Sequence, residues 1–296
     1  MNLKTFAPYR LILSLGTHGF LNWIPDKTYL SILYFLRMGK SMNWKDPQRY
    51  TEKLQWLKVF DRQPAYTMMV DKYHVREYVS NIIGDEYLVP LVGHYQKYEE
   101  IDFSKLPNQF ILKCTHGSHC SLICKEKKDF PIVEGKKQMR KWLKHNYYWA
   151  YREWPYKNVI PTIICEKLLI DDEGEIPDDY KVFCFNGKAR FVKLDVDRFS
   201  NHHRVFYDIE WNRYEHGWGV VSDTDIPKPS LLNLMIHNSE ELAKGLPQAR
   251  VDWYVCKDQL FFGEITFFDA GGLEPFNNPQ NDIVVGNLLC IKNENN

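Results

Sequence analysis

The sequence predicts an α+β protein in which a helical N-terminal region precedes short strands interleaved with helices. Three observations carry this expectation. Between residues 26 and 83 apolar side chains recur at helical spacing. Beyond Gly84 the texture changes to brief apolar runs divided by polar turns. Two of these runs meet at Asn186-Gly187, the preferred two-residue loop of a tight hairpin.

Taken in order, "DPQRYTEKLQWLKVF" opens on Asp46-Pro47, carries Glu52 in an early turn and repeats apolar residues at Leu54, Leu57 and Phe60, so it reads as a helix. "MMVDKYHVREYVSNIIG" follows the same logic and ends at Gly84, a natural helix stop. Strands are expected in "EYLVPLVGHY", "FILKC", "IPTIICEKLLI", "YKVFCFNGKARFVKLDV" and "VDWYVCKDQLFFGEITFF". Helices are expected in "KKQMRKWLKHNYYWAYRE" and in "SLLNLMIHNSEELAKGL", which ends near Gly245. The Asn-Gly loop sets Phe183 opposite Arg190 and Lys181 opposite Val192, which places Lys181 in an ordered sheet. A second hairpin, turning at Lys257-Asp258-Gln259, sets Asp252 opposite Glu264 and Arg250 opposite Thr266.

At 296 residues the chain has room for two or three subdomains. Lys plus Arg balance Asp plus Glu at 38 each, so no global charge draws it to nucleic acid. Aromatic residues reach 15%, which suits a large core or a cleft lined by rings. The seven cysteines are odd in number and sit mostly in strand-like runs, at Cys165, Cys184 and Cys256 for example, and this points to the cytoplasm. Arg10, His18 and Pro25 break the N-terminal apolar stretch, arguing against a cleavable signal. No segment has the ~18 apolar residues of a membrane span. "YLSILYFLRMGK" reads as a buried amphipathic helix, with a peripheral membrane contact as the alternative.

The chemistry concentrates in the last hairpin. Two carboxylates facing each other across strands destabilise a sheet unless positive charge stands between them. A divalent cation meets that need, because Mg²⁺ is typically held by one or two carboxylates plus phosphates and water. Arg250 on the same face suits a phosphate oxygen. The plainer alternative pairs Arg250 with Asp252 on a solvated face and leaves Glu264 to water. Upstream, Lys113 precedes a small-residue loop at Gly117-Ser118, an arrangement that brings backbone N–H groups and a point charge to phosphate. Cys114, His116, His119, Cys120 and Cys124 offer a zinc alternative there, without the Cys-x-x-Cys pairing of structural sites. The strand "IICEKLL" suits the flat, apolar faces of adenine, and is otherwise core.

In this order the motifs resemble the ATP-grasp superfamily, and more narrowly its TupA-like branch, linked to teichuronopeptide and surface-polysaccharide biosynthesis. The resemblance runs from "DPQRYTEKLQWLKVFDRQPAY" and "DKYHVREYV", through "FILKCTHGS", "CEKLL" and "DYKVFCFNGKARFVKLD", to "RVDWYV" and "FGEITFFDAGGLEPF". It implies a nucleotide clasped between two α+β subdomains, 85–165 and 166–296, after a helical region 1–84. On the same ground Lys72 and Lys113 touch phosphates, and Gly117 and Ser118 belong to the loop closing over them. Glu166, Lys167 and Leu169 belong to the adenine strand, while Lys113, Lys181 and Arg250 are the implied catalytic residues, stabilising charge on the transferred phosphoryl group. Asp252 and Glu264 are the implied metal ligands. Thr266, the third implied metal ligand, stands where the superfamily usually has asparagine and still offers an oxygen.

The expected activity is ATP-dependent carboxylate–amine ligation with Mg²⁺, through an acyl phosphate. The implied partners are an amino acid or other amine and a uronic-acid-bearing glycan, free, nucleotide-linked or lipid-linked. Two rivals stand beside it. One is a kinase or glycan-modifying transferase; the other is a non-catalytic saccharide-binding protein whose Trp142, Trp149, Trp154, Trp211 and Trp218 stack on sugar rings.

Overall fold

The computed structural model describes residues 3–196 and 203–291. Five helices lead: α1 (Leu3–Thr17), α2 (Asp26–Met38), α3 (Tyr50–Phe60), α4 (Ala65–Val70) and α5 (Val75–Ile83). Helix α3 starts at Tyr50 because Glu52 reaches back to accept from Gln48 and Arg49 N–H groups at 3.0 and 3.1 Å, closing the first turn. Leu54 and Leu57 are buried as expected, whereas Phe60 is 49% exposed. It packs sideways on Trp56, with ring centroids 4.9 Å apart. The helix expected over 68–84 divides at Asp71, whose carboxylate accepts from the N–H groups of Tyr73 and His74 and turns the chain between α4 and α5. In α2 the apolar stretch buries Tyr29, Leu30, Leu33 and Tyr34.

The first sheet is antiparallel in the order β1 (Leu91–Tyr95), β4 (Ile163–Lys167), β2 (Phe110–Cys114), β3 (Ser121–Cys124). Between β3 and β4 lie α6 (Ile132–Leu143) and α7 (Tyr148–Tyr151). Its core gathers Phe110, Leu112, Ile163 and Cys165 against Phe130 and Met139. Strand β4 runs through the expected boundary at 165/166, and the chain passes between the sheets over residues 168–178.

The second sheet has the order β7 (His203–Asp208), β6 (Lys188–Val196), β5 (Asp179–Phe185), β8 (Gln248–Cys256), β9 (Gln259–Thr266). Strand β7 lies outside the segments read as strands from sequence. One face carries the apolar row Val192, Val182, Val251, Ile265, in register across four strands. Helix α8 (Leu232–Leu242) covers this face, and Ser239 Oγ accepts from Trp253 Nε1 at 2.8 Å. Helix α9 (Pro279–Gly286) closes the chain against α3, with Asp282 accepting from the Thr51 N–H and hydroxyl.

Both hairpins of this sheet differ in register from the simplest reading. After Asn186-Gly187, Phe185 pairs with Lys188 and Cys184 with Ala189, but a bulge at Arg190 then sets Phe183 opposite Phe191 and Lys181 opposite Lys193. The expected pairs Phe183–Arg190 and Lys181–Val192 are therefore wrong by one residue. The last hairpin turns on two residues, Lys257 and Asp258, not three. A bulge at Gly263 offsets the shorter loop, so Asp252 does face Glu264 and Arg250 does face Thr266.

Candidate active site

A cleft of about 630 Å³ lies over the other face of the second sheet, bounded by residues of both sheets. The sheet alternation explains its floor. Across β6, β5, β8 and β9 one row reads Lys193, Lys181, Asp252, Glu264. The row beside it pairs Asp195 with Asp179, and the row on the other side reads Phe191, Phe183, Arg250, Thr266. The first row thus sets two cations beside two anions, with Lys181 and Asp252 meeting at its centre, and further opposite charges are neighbours between rows.

Arg250 is the hub. Its guanidinium donates to both Asp252 oxygens at 2.7 and 2.6 Å, to Glu264 Oε1 at 3.0 Å and to Asp269 Oδ1. Lys72 meets Glu264 Oε2 at 2.8 Å. Lys181 meets Asp179 and lies 2.9 Å from Asp195 and 4.0 Å from Asp252. Lys193 holds both oxygens of Asp269, at 3.0 and 2.9 Å. The positive charge between Asp252 and Glu264 is therefore Arg250, helped by Lys72. The plainer alternative was right about the Arg250–Asp252 pair and wrong about its surroundings, since the pair is buried.

Burial pushes the Asp252 carboxyl up to about 7, against the pull of Arg250. Burial would also raise Glu264, yet Lys72 and Arg250 hold it well below the usual carboxylate range. Lys193 and Arg250 do the same to Asp269. Two neighbouring groups thus keep their charge under conditions that neutralise ordinary carboxylates.

The oxygen donors of Asp252 and Glu264 fit a hard divalent ion completed by phosphate oxygens and water. The Glu264 side chain is 28% exposed, which leaves it open to such an ion from the cleft. Thr266 Oγ1 donates to Glu264 Oε1 at 3.1 Å and orients that carboxylate. Among the described residues no group of three His, Cys, Asp or Glu side chains is placed to hold a metal. His116, one of the zinc candidates, instead donates from Nε2 to the carbonyls of His145 and Trp142 at 2.9 and 3.2 Å, tying its loop to the end of α6.

The other expected residues fall around the same cavity. Lys113, Ser118, Lys167 and Leu169 line it, together with Lys72, Lys181, Arg250, Asp252, Glu264 and Thr266. Gly117 and Glu166 stand behind the lining. A Cβ on Gly117 would come within 3.3 Å of the Tyr147 ring, so glycine permits the close approach of loop and ring. Glu166 accepts from Lys113 at 2.7 Å and Arg76 at 2.9 Å, which fixes Lys113 from beneath. At this end the lining turns apolar, with Val89, Ile111, Ile123, Leu168, Leu169, Ile176 and Tyr254. One half of the cavity is a greasy slot and the other a lattice of charges.

The tryptophan platform of the rival saccharide-binding reading is not assembled from Trp154, Trp211 and Trp218. Trp154 and Trp218 are buried, and Trp211 stacks on Tyr207 with centroids 4.2 Å apart.

Several residues of the cleft had not been singled out from sequence: Glu153, Asp179, Lys193, Asp195, Arg204 and Asp269. For Asp179, Lys193 and Asp195 the signal was present, since charges at alternate positions of "DYKVFCF" and "FVKLDV" share a face just as Glu264 and Thr266 do. Asp269 is held in the turn "DAGG", whose Gly271 carbonyl accepts from Lys58 at 2.6 Å and from Gln55 at 3.2 Å. Only tertiary contact with α3 reveals that anchoring.

The family model for TupA-like ATP-grasp proteins matches residues 52–290. The chain belongs to the TupA-like ATP-grasp family. The match begins in the first turn of α3 and spans both sheets and the whole cleft. No curated protein matches the chain in sequence. Among solved structures it is similar to a D-alanine–D-alanine ligase from Bacillus anthracis complexed with ATP, at 15% identity and a TM-score of 0.38, covering 68% of this chain and 54% of that one. It is also similar to the ATP-grasp ligase PsnB complexed with a phosphomimetic precursor variant, Mg and ADP, at 12% identity and a TM-score of 0.41, covering 80% and 66%. The ADP complex of an N5-carboxyaminoimidazole ribonucleotide synthetase shares 13% identity at a TM-score of 0.43, with 81% and 56% covered. The chain spans between about half and two thirds of the length of these proteins.

Proposed function

We propose that the protein is an ATP-dependent carboxylate–amine ligase that works through an acyl phosphate. The observation that carries this reading is the two-part cleft, a greasy slot continuous with a lattice of buried charge. A nucleoside triphosphate has the same division, with a flat apolar base at one end and a polyanion at the other. Val89, Ile111, Leu169 and Tyr254 would enclose the base, with Glu166 and Lys167 on the strand beside it. Lys72, Lys113, Lys181 and Arg250 would exchange their carboxylate partners for phosphate oxygens, under the loop at Gly117-Ser118. Asp252 and Glu264, with Thr266 orienting the latter, would hold Mg²⁺, which when bound neutralises charge on the phosphates.

The reaction follows from what those side chains do. A carboxylate is a poor electrophile, so its oxygen first attacks the γ-phosphorus and ADP leaves. Arg250 and Lys181 are preorganised beside the moving phosphoryl group, where fixed charges lower the barrier without reorganising. An amine then attacks the acyl carbon and phosphate departs. The family supports a uronic-acid-bearing glycan precursor as the acid and an amino acid as the amine, in surface-polysaccharide biosynthesis. The cytoplasm, where ATP is supplied, is the proposed compartment. No helix among the described residues is long and apolar enough to cross a membrane.

The test mixes protein, Mg²⁺, ATP and candidate acids with hydroxylamine. Formation of ADP together with a hydroxamate is expected. Phosphate retained on a sugar product would establish a kinase instead, and absence of both ADP and hydroxamate across uronates and amino acids would refute the ligase.

A further inference from the structure

Glu153 takes no part in the charge lattice. It is only 3% exposed and lines the cleft. Among the described residues its carboxylate makes no hydrogen bond or ion pair, although a buried carboxylate is costly unless paired. The chain goes to some length to hold it there. Arg152, immediately before it, adopts the left-handed conformation at φ 53°, which costs a non-glycine residue ~1–2 kcal/mol. The Arg152 side chain is fully buried, lies 4.4 Å from the Tyr29 ring and 4.6 Å from the Trp149 ring, and donates to the Leu21 carbonyl at 2.8 Å. Helices α2 and α7, with the turn at Leu21 that precedes α2, thus clamp the turn that aims Glu153 inward.

Tyr147 and Tyr156 flank the carboxylate in the cleft lining, with ring centroids 4.9 Å apart. Tyr147 also packs against Gly117, so this wall lies between the loop proposed to cover phosphate and the Arg250–Glu264 pair. The charged groups acting on Glu153 are Lys58 from α3, Arg250 from β8, Glu264 from β9 and Asp269 from the turn that follows. The two cations act on it more strongly than the two anions. Burial pushes the Glu153 carboxyl up to about 7, with Lys58 and Arg250 pulling it down.

An unpaired carboxylate beside two aromatic rings is a receptor for an organic cation. A donor carboxylate would be repelled there, and the phosphates have their own cations. We infer that Glu153, Tyr147 and Tyr156 form the subsite for the amine substrate, where Glu153 binds the ammonium group and takes one of its protons, freeing the lone pair with which the nitrogen then attacks. This rests on the ligase reading. The step balances: the C–N bond forms, the acyl C–O bond to phosphate breaks, and the ammonium gives up two protons. One goes to Glu153 and the other leaves with the phosphate.

Hydroxylamine separates the two ideas, because it attacks as a neutral nucleophile and needs neither the cation receptor nor the base. Glu153→Gln keeps the shape and removes the buried charge, so the variant is expected to fold and to retain measurable hydroxamate formation; loss of hydroxamate in the folded variant would place Glu153 in acyl-phosphate formation and overturn the subsite. Ligation to the standard amino acids, supplied as ammonium forms, should fall about 100-fold or more. Inhibition of the hydroxamate reaction by ethylammonium, which probes the receptor whatever the true amine, should weaken about tenfold. Hydroxamate formation with unchanged ethylammonium inhibition in Glu153→Gln would overturn the subsite. Absence of hydroxamate and ADP in the wild type would instead overturn the ligase reading on which it depends. If Glu153→Gln fails to fold, Glu153→Asp retains the charge with a shorter reach; an unchanged response to ethylammonium in that variant would equally refute the assignment.

Discussion

The hairpins β5–β6 and β8–β9 lie in one sheet and are built alike, but their bulges sit in different surroundings. Each turns on two left-handed residues, Asn186 and Gly187 at φ 50° and 76°, and Lys257 and Asp258 at φ 52° and 56°. Each carries one bulge, at Arg190 and at Gly263. Arg190 is exposed, whereas a Cβ on Gly263 would meet the Asp252 carbonyl oxygen at 3.1 Å and the Tyr254 ring at 3.2 Å. The second bulge is part of the wall behind the metal-type carboxylates, while the first only resets the pairing of β6. A shared motif can therefore be structural slack in one place and a fitted part in another.

The comparison can be broken most forcefully at its hub. Arg250→Met would leave Asp252, Glu264 and Asp269 facing one another with their common cation gone. Urea denaturation should show a loss of about 3–5 kcal/mol, as for other broken buried ion pairs. A loss near zero would mean that the lattice does not depend on β8.

Acid should act on the same lattice. Glu264 and Asp269 have folded pKa values below their unfolded ones. Their stabilisation is complete above the unfolded values, near about 4, and is lost as pH falls through the folded ones. Stability measured by denaturant should thus decline steeply below about pH 4. Asp269→Asn should flatten that limb, and an unchanged slope would contradict the assignment.

Lys181 and Lys193 sharpen the reading of the first bulge, because they share the cleft face only if Arg190 is extra. Lys181→Met and Lys193→Met should each weaken ATP binding about tenfold or more in a calorimetric titration. An effect from Lys181 alone would place Lys193 outside the phosphate end.

The smallest effects separate the bulges themselves. Gly263→Ala should cost about 1 kcal/mol, and Arg190→Ala should stay within about 0.5 kcal/mol, both by thermal or chemical denaturation. Equal costs would erase the contrast.

These hairpins also show how far the sequence could be read. Asn186-Gly187 announced its turn because glycine and asparagine accept left-handed backbone readily. Lys257 carries no such signal, so the shorter loop was missed. The lone Gly263 inside a strand run is a mark of a bulge, whereas Arg190 carries no local signature at all. In the second hairpin the missed bulge and the overlong loop compensated, and Asp252 was set correctly against Glu264. In the first hairpin nothing compensated, and a slip of one residue turned Lys193 and Asp195 to the wrong face. Glu153 was out of reach for another reason: only the clamp of Arg152 between distant helices aims it into the cleft. The helices and strands rest on periodicity, which is local, whereas the charge lattice rests on register and tertiary contact, which are not.

The central claim is that the charged half of the cleft receives a metal-bound triphosphate. Calorimetric titration of ATP with and without Mg²⁺, into the wild type and into Asp252→Asn/Glu264→Gln, tests it most directly. Binding strengthened by Mg²⁺ in the wild type, and indifferent to Mg²⁺ in the double variant, is the result expected here. No binding of ATP by the folded wild type, or the same Mg²⁺ dependence in both proteins, would contradict it.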